Sequence, residues 1–479
     1  MPDTANWKIM KPAPALIASL MMAMTLGFSA QAAKNKPTEY EPPATVLLGG
    51  TLIDGRGGPV MENSAIVIRG KKIIAVGAAK DTRIPKNARI VGIHGKIVMP
   101  GLIDAHIHIN GSGGGSREPE EFGPRAISNN LRSYLKYGVT TVFDMAGNPF
   151  IDAQKQALST GQMIGPRLFG VKYGLTAPDG HPLQLLKKTG RLKTLGPVYH
   201  TIADEAQIGP ALAHIIADGT EGVMIYHKGS GFPVAGDAPK LSPGLLKALI
   251  DRAHAGKLKV FVHAESSAEA REAVAAGADV LTNSITSGEA GPELLAIMAN
   301  RKIAYMPSLS RIEAIFRITE NPNFIRALRG KVWSPVLDNY FTGKSIVMEG
   351  LTTPGVPAKA RQMLATAMKN LRAAVRAGVP IVLGTNSGRP GALHGASVPR
   401  EMLLMNQSGM TQMEIITAAT GFAAKAIGKG EILGTVEKGK FADLLILNGD
   451  PRGDIRAMTD IWRVVRGGYI LDPKGIPID

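Results

Sequence analysis

The feature that most constrains the fold is an alternation in the middle of the chain, where short apolar runs recur between longer stretches of helical periodicity. Runs at 103–108, 140–144, 167–170, 222–226, 259–264, 279–282, 303–307 and 381–385 read as strands, and amphipathic stretches at 242–254, 268–276 and 358–377 read as helices laid on them. A crossover between parallel strands needs a dozen or more residues, so this alternation predicts βαβ units in a parallel sheet. Eight such units predict an α/β fold, a (β/α)8 TIM barrel, with its functional residues at the C-terminal ends of the strands. A doubly wound open sheet is the structural alternative. The 56 glycines suit so many tight strand-to-helix turns.

The two ends of the chain read differently. Short β-branched runs at 45–48, 65–69 and 72–76 are matched by runs at 443–447, 461–466 and 469–471, each set bounded by Gly and Asp turns. Neither set is large enough to form a core alone. The expectation is therefore one small β-sandwich built from residues 44–100 and 426–479, with the barrel, residues 101–425, inserted between them.

Ahead of these, Lys8 and Lys11, the apolar stretch 13–28 and Ala30-Gln31-Ala32 have the layout of a signal peptide cleaved after Ala32, followed by a polar, proline-containing linker at 33–43. A periplasmic or secreted protein with no integral membrane span after cleavage is expected, since no later segment is both long and charge-free.

The chain carries a formal charge of +16, and loss of the leader would remove one net positive charge through Lys8, Lys11 and Asp3. Such a field favours a small anionic or peptide-like substrate. Nucleic acid is not expected as a partner, because no basic run is interleaved with aromatics and no zinc-finger spacing occurs. The absence of cysteine excludes disulfides and thiolate catalysis. The segment 310–355, with Trp333, Tyr340 and Phe341, reads as an excursion after the seventh strand, a lid or an oligomer contact, and leaves a homo-oligomer open.

At the end of the first strand stand His106 and His108. Residues two apart in an extended strand project to one side, so both imidazoles can face one ion. His263 ends the fifth strand and faces the same mouth. Glu265, two residues on, points to the same side and offers a base; Lys228 lies one pleat beyond Met224 and Tyr226 on the fourth strand.

The run Pro100-Gly-Leu-Ile-Asp-Ala-His-Ile-His108 resembles the metal-dependent amidohydrolase superfamily, in its imidazolonepropionase-like and exported prolidase-like branch. The resemblance extends through Gly138-Val-Thr-Thr-Val142, Gly165-Pro-Arg167, Val262-His-Ala-Glu265, Gly384-Thr-Asn-Ser-Gly388 and Gly439-Lys-Phe-Ala-Asp-Leu-Leu-Ile446. It implies further ligands: a carbamate-bearing lysine on strand four, a histidine on strand six and an aspartate on strand eight. This chain has Met224 at the lysine position when aligned from Gly219, or Tyr226 when aligned on Ser230-Gly231, with Asn283 and Asn386 at the other two. Asparagine offers a carbonyl oxygen but takes no proton from water. The resemblance therefore implies at most one divalent ion, most naturally zinc, on His106, His108 and His263, with Asn386 a fourth donor and catalytic candidate beside Glu265.

His181, in a loop resembling the family's Gly-Gly-His turn, with Tyr226, Lys228, Asn283 and His394, are the candidate substrate contacts. Asp144 reads as structural. Three functions follow: a hydrolase of carbon–nitrogen bonds, a binding protein that has lost the metal cage, and a lyase or isomerase relying on Glu265 or Tyr226 for proton transfer.

Overall fold

The computed structural model describes residues 42–111, 123–145, 147–188, 190, 192–230, 232, 236–328, 330–332 and 350–478. The leader, nearly all of the linker, and Trp333, Tyr340 and Phe341 lie outside the described residues. No helix among the described residues is long and apolar enough to cross a membrane.

The chain folds as a (β/α)8 barrel with a β-domain made from both chain ends. Seven barrel strands are regular: Leu102–Ile107, Val139–Met145, a bent third strand split into Arg167–Val171 and Gly174–Thr176, then Val223–Tyr226, Val260–His263, Val280–Thr282 and Ala304–Met306. Each pairs in parallel with the next in chain order. The bend after Val171 passes the pairing from the second strand to the fourth. Sequential order throughout is that of a barrel; a doubly wound sheet would reverse partway.

The eighth strand departs from expectation. Residues 381–387 form only isolated bridges, Tyr305 with Ile381 and Ile107 with Ser387. Backbone bonds nevertheless tie this segment to both neighbours: Val382 N to Tyr305 O at 2.9 Å, Ala105 N to Leu383 O at 3.1 Å and Asn386 N to His106 O at 2.7 Å. Regular pairing fails because Pro380 has no N–H to give and Asn386 turns to φ 55°. Gly384 and Gly388 allow the close approach, since a Cβ at either would overlap His106 or the His108 carbonyl. A short strand the sequence reading did not foresee, Tyr199–Thr201, adds to the edge of Gly174–Thr176.

Inside the barrel, Ile103, Phe143, Val171, Met224, Phe261 and Met306 pack as one apolar plug. The helices outside follow from their sequence. Ser242 caps Pro243–Ala255 by accepting from Leu245 N, and Leu246, Leu249, Ile250 and Ala253 make its buried stripe. Burying each large aliphatic there contributes about 1.5–3 kcal/mol.

At the chain ends, Ile97–Pro100 pairs antiparallel with Leu444–Leu447, joining the N-terminal strands to the C-terminal ones in an eight-stranded sheet. Two of its strands, Arg89–Gly92 and Ile97–Pro100, were not foreseen. Two of the motifs that carry the family resemblance serve this junction. Arg167 donates to both oxygens of Asp443, at 2.5 and 3.1 Å, and its guanidinium stacks 3.6 Å from the Phe441 ring, pinning the third barrel strand to the sheet.

Candidate active site

Strand ends of the barrel converge on a group of histidines, and the first strand is fixed before its histidines are reached. Asp104 accepts from Thr385 N at 2.9 Å and from Thr385 Oγ1 at 2.5 Å, clamping strand one to the eighth segment. Burial pushes the Asp104 carboxyl up to about 7, although the Thr385 bonds work against the rise. Beyond it the His106 and His108 rings stand edge to face with centroids 5.3 Å apart. Asp144, at the end of the second strand, is bound by Asn148 at 2.6 Å and also raised by burial to about 7.

Across the mouth, His263 has its Nε2 3.0 Å from Glu265 Oε1, and Lys228 Nζ lies 2.9 Å from Glu265 Oε2. Lys228 is 1% exposed and the Glu265 side chain 10%. Burial alone would raise the Glu265 carboxyl, but the Lys228 ammonium and His263 outweigh it and hold the group well below the usual carboxylate range. Lys228 and His263 are both lowered by burial, with Glu265 opposing the shift.

Glu269 supports this arrangement from behind. It accepts from Glu265 N and Ser266 N, both at 2.9 Å, and from Gly229 N at 2.8 Å, and it completes a capping box with Ser266 at the start of helix Ser267–Ala276. One carboxylate thus sets the backbone on either side of the ion pair. His181, on the loop after strand three, has its ring 5.4 Å from His263 and 5.6 Å from Tyr226. Tyr226 donates to Met145 O at 3.4 Å and forms a buried aromatic floor under both histidines.

Strands six and eight end on Asn283 at φ 74° and Asn386 at φ 55°, a left-handed backbone that asparagine tolerates better than most residues. Both are nearly buried, and Asn283 Oδ1, Asn386 Oδ1, His106 Nδ1 and His181 Nδ1 have no hydrogen-bond partner among the described residues. Buried polar atoms of this kind ask for a partner.

Two residues that sequence reasoning missed complete the mouth. Arg389, just past the eighth segment, has a guanidinium nitrogen 3.3 Å from His108 Nε2, and Arg311 lies at the start of helix Leu309–Glu320 after strand seven. Their position just after a strand end was the available signal. Nothing in the sequence says that either side chain turns inward.

Two further residues belong elsewhere. His394 was expected to meet substrate, but Nδ1 is 3.0 Å from Tyr134 Oη and Nε2 is 2.8 Å from Gly111 O, so both nitrogens serve the scaffold. His227 faces outward to Glu272 at 2.5 Å.

These donors do not fit a resident metal. His263 Nε2 is engaged by Glu265, Glu265 by Lys228, and His108 Nε2 by Arg389. Among the described residues no three His, Asp or Glu side chains are gathered as an ion would need. Met224, at the position of the carbamate lysine, is buried in the apolar plug. A dication would stand beside Lys228, Arg311 and Arg389. The expected zinc on His106, His108 and His263 is therefore not the arrangement found, because spacing brings three histidines to one mouth without leaving their nitrogens available together.

Barrel and mouth together define a (β/α)8 barrel with a buried polar cluster at the C-terminal strand ends. The sequence model of the amidohydrolase family matches residues 97–471, and the chain belongs to that family. Ochratoxinase from Aspergillus niger is 26% identical, with 91% of this chain and 88% of that protein covered. Imidazolonepropionase from Shouchella clausii is 23% identical, covering 88% of each. Among solved structures, a Xaa-Pro dipeptidase with methionine bound in its active site superposes with a TM-score of 0.69 at 22% identity, over 90% of this chain and all of that one. A. niger ochratoxinase superposes at 0.68 with 22% identity, over 91% and 97%.

Proposed function

We propose that this chain is an exported hydrolase of carbon–nitrogen bonds in small amide or peptide-like compounds, working with its own side chains at the barrel mouth. The observation that carries this reading is the Lys228–Glu265–His263 chain inside a family whose named relatives include a dipeptidase and other hydrolases. Glu265, pinned between Lys228 and His263, is a poor base and a good orienting group. Its carboxylate receives the Nε2–H of His263 and so leaves Nδ1 as the acceptor, the same logic by which a buried acid fixes a catalytic imidazole.

In the reaction, His263 takes a proton from water as the water oxygen bonds to the amide carbon. The carbonyl oxygen gains negative charge, which Arg311 and Arg389 offset. Breakage of the C–N bond returns the proton from His263 to the leaving nitrogen. Asn283 and Asn386 would hold the amide through their unpaired oxygens. Amidohydrolases generally rely on divalent ions for the electrophilic part of this work, and no step is assigned to one here.

A second reading, a binding protein without turnover, is favoured by one observation: Lys228 and Arg389 engage Glu265 and His108, so that the cage has been closed by the protein itself.

Amine release from a panel of N-acyl amino acids and dipeptides separates these readings. Turnover that survives chelation and falls at least roughly a hundredfold in His263→Ala supports the first, given typical general-base contributions. Binding with no cleavage of any panel member supports the second. Cleavage abolished by chelator and restored by zinc would return the one-ion site on His106, His108 and His263. Export is tested by fractionating cells for a product that begins after Ala32.

A further inference from the structure

We propose that the mouth binds a small oxyanion between the Arg311 and Arg389 guanidinium groups, and that these two side chains with Lys228 supply the positive charge that family members generally draw from divalent ions. This rests on the reading of the mouth as the ligand site and names the chemistry of what enters it.

Charge and partners carry the argument. Arg311 is half-buried, yet it makes no hydrogen bond or ion pair among the described residues. Its place is fixed from behind, because the Glu401 carboxylate accepts from Leu309 N at 2.8 Å and Ser310 N at 2.7 Å and so sets the first turn of its helix. Arg311 stands in the first turn of the helix that follows strand seven, at the barrel end where the cluster lies, and its charge is felt by Glu265, His106, His263 and Lys228.

Arg389 acts on His106, His181 and Asp144 from the other side, and the two guanidinium groups repel each other. Its one hydrogen bond among the described residues goes to the His108 ring. The carboxylate that faces Arg311, Glu265, is already shared between Lys228 and His263. Asp144, the carboxylate that feels the Arg389 charge, is buried with its carboxyl raised to about 7; Asn148 binds its Oδ2, and Oδ1 has no partner among the described residues.

Two like charges held at one mouth, with no ion pair to a carboxylate among the described residues, make a clamp for an outside anion. Guanidinium presents a planar fork that matches the two oxygens of a carboxylate or phosphate. The acceptors around it narrow the ligand further. Asn283 Oδ1 and Asn386 Oδ1 are nine-tenths buried or more and without a partner, and they fit N–H or O–H donors on the same molecule. A carboxylate carrying an amide N–H has both halves.

The test is calorimetric titration of the full chain, dialysed against EDTA, with N-acetyl-L-leucine, its uncharged amide N-acetyl-L-leucinamide, and inorganic phosphate. The free carboxylate is expected to bind at least roughly tenfold more tightly than the amide, as a lost charge-assisted bond implies. Arg311→Met and Arg389→Met should each weaken it by about as much, with melting temperature held or raised and partial rescue in the Lys variants. Phosphate that competes with the acid shows that the clamp reads oxyanions in general; phosphate that binds while the acid does not assigns a phosphate ligand.

Equal affinity for acid and amide, unchanged affinity in both Met variants, or anion binding that appears only after zinc is added would each overturn the proposal. Because binding is read without turnover, absence of hydrolysis leaves the anion site standing. Cleavage of neutral amides with no preference for charge would sink the anion site and spare the hydrolase.

Discussion

On the strand-four and strand-five side of the mouth, Lys228, Glu265 and His263 touch in sequence at 2.9 and 3.0 Å, with Glu269 holding the backbone behind them. On the strand-one and strand-eight side, His106 and Asn386 keep polar atoms unpartnered among the described residues, and the hydrogen bond of Arg389 goes to an imidazole. Both sides are buried and polar, so burial does not distinguish them. The first side satisfies its own charges, so it should carry stability as well as orient the His263 base. The second has more donors, acceptors and positive charge than its described residues satisfy, and should take up the ligand.

The sharpest way to break this distinction is Lys228→Met. It strands the Glu265 carboxylate in a buried position, which should cost about 3–5 kcal/mol of unfolding free energy. The double variant Lys228→Met/Glu265→Gln should recover most of that loss. Urea unfolding of the three proteins measures both, and a double variant no more stable than the single one would mean that Lys228 matters through contacts other than this pair.

A smaller effect comes from Glu401, which anchors the Arg311 helix. Burial raises its carboxyl from 4.5 to about 7, with the Ser310 and Leu309 bonds opposing the rise. The folded chain therefore keeps a proton that the unfolded chain has already released. Stability from this group is highest below the unfolded value and falls as pH rises through the window from 4.5 to about 7. At about 1.4 kcal/mol per unit the whole window is worth on the order of 3 kcal/mol. Melting curves from pH 5 to 8 should decline less steeply for Glu401→Gln than for the parent chain, although Asp104 and Asp144 keep part of the slope in both.

How far the sequence disclosed this follows from what each residue had to do. Alternation of apolar runs located seven regular strands within a few residues, because a strand buried on both faces must be apolar along its length. It misjudged 381–385, where Asn386 and Pro380 interrupt pairing, and passed over Arg89–Gly92 and Ile97–Pro100, which are only four residues each. Strand parity brought His106, His108, Lys228, His263 and Glu265 to one mouth. Parity fixes direction but not partners, so it could not show that Lys228 reaches Glu265 or that Arg389 reaches His108. Arginine is the harder case, since four side-chain torsions separate its charge from the backbone position that the pattern locates. His394 shows the converse, a loop residue near the site whose nitrogens are spent on Tyr134 and Gly111.

The left-handed strand ends give a smaller backbone test. Asn386→Val should cost about 1–3 kcal/mol, as expected for forcing a β-branched residue to positive φ, while Asn386→Gly should stay close to the parent because glycine adopts that backbone freely. Equal losses in thermal unfolding would assign the cost to the amide side chain instead. That result would move Asn386 to the satisfied side of the comparison.

The smallest stability effect should come from the two arginines, and its smallness is the informative part. Neither Arg311 nor Arg389 makes an ion pair with a carboxylate among the described residues, and each repels the other, so replacement by Met removes repulsion along with solvation. The net change in unfolding free energy should stay within about 0.5 kcal/mol, the range of substitutions that break no internal partnership. Lys228→Met sets the opposite limit in the same mouth. A loss from Arg311→Met or Arg389→Met approaching that of Lys228→Met would mean that the arginines are internal partners too, and the division between a self-satisfied half and an open half would collapse.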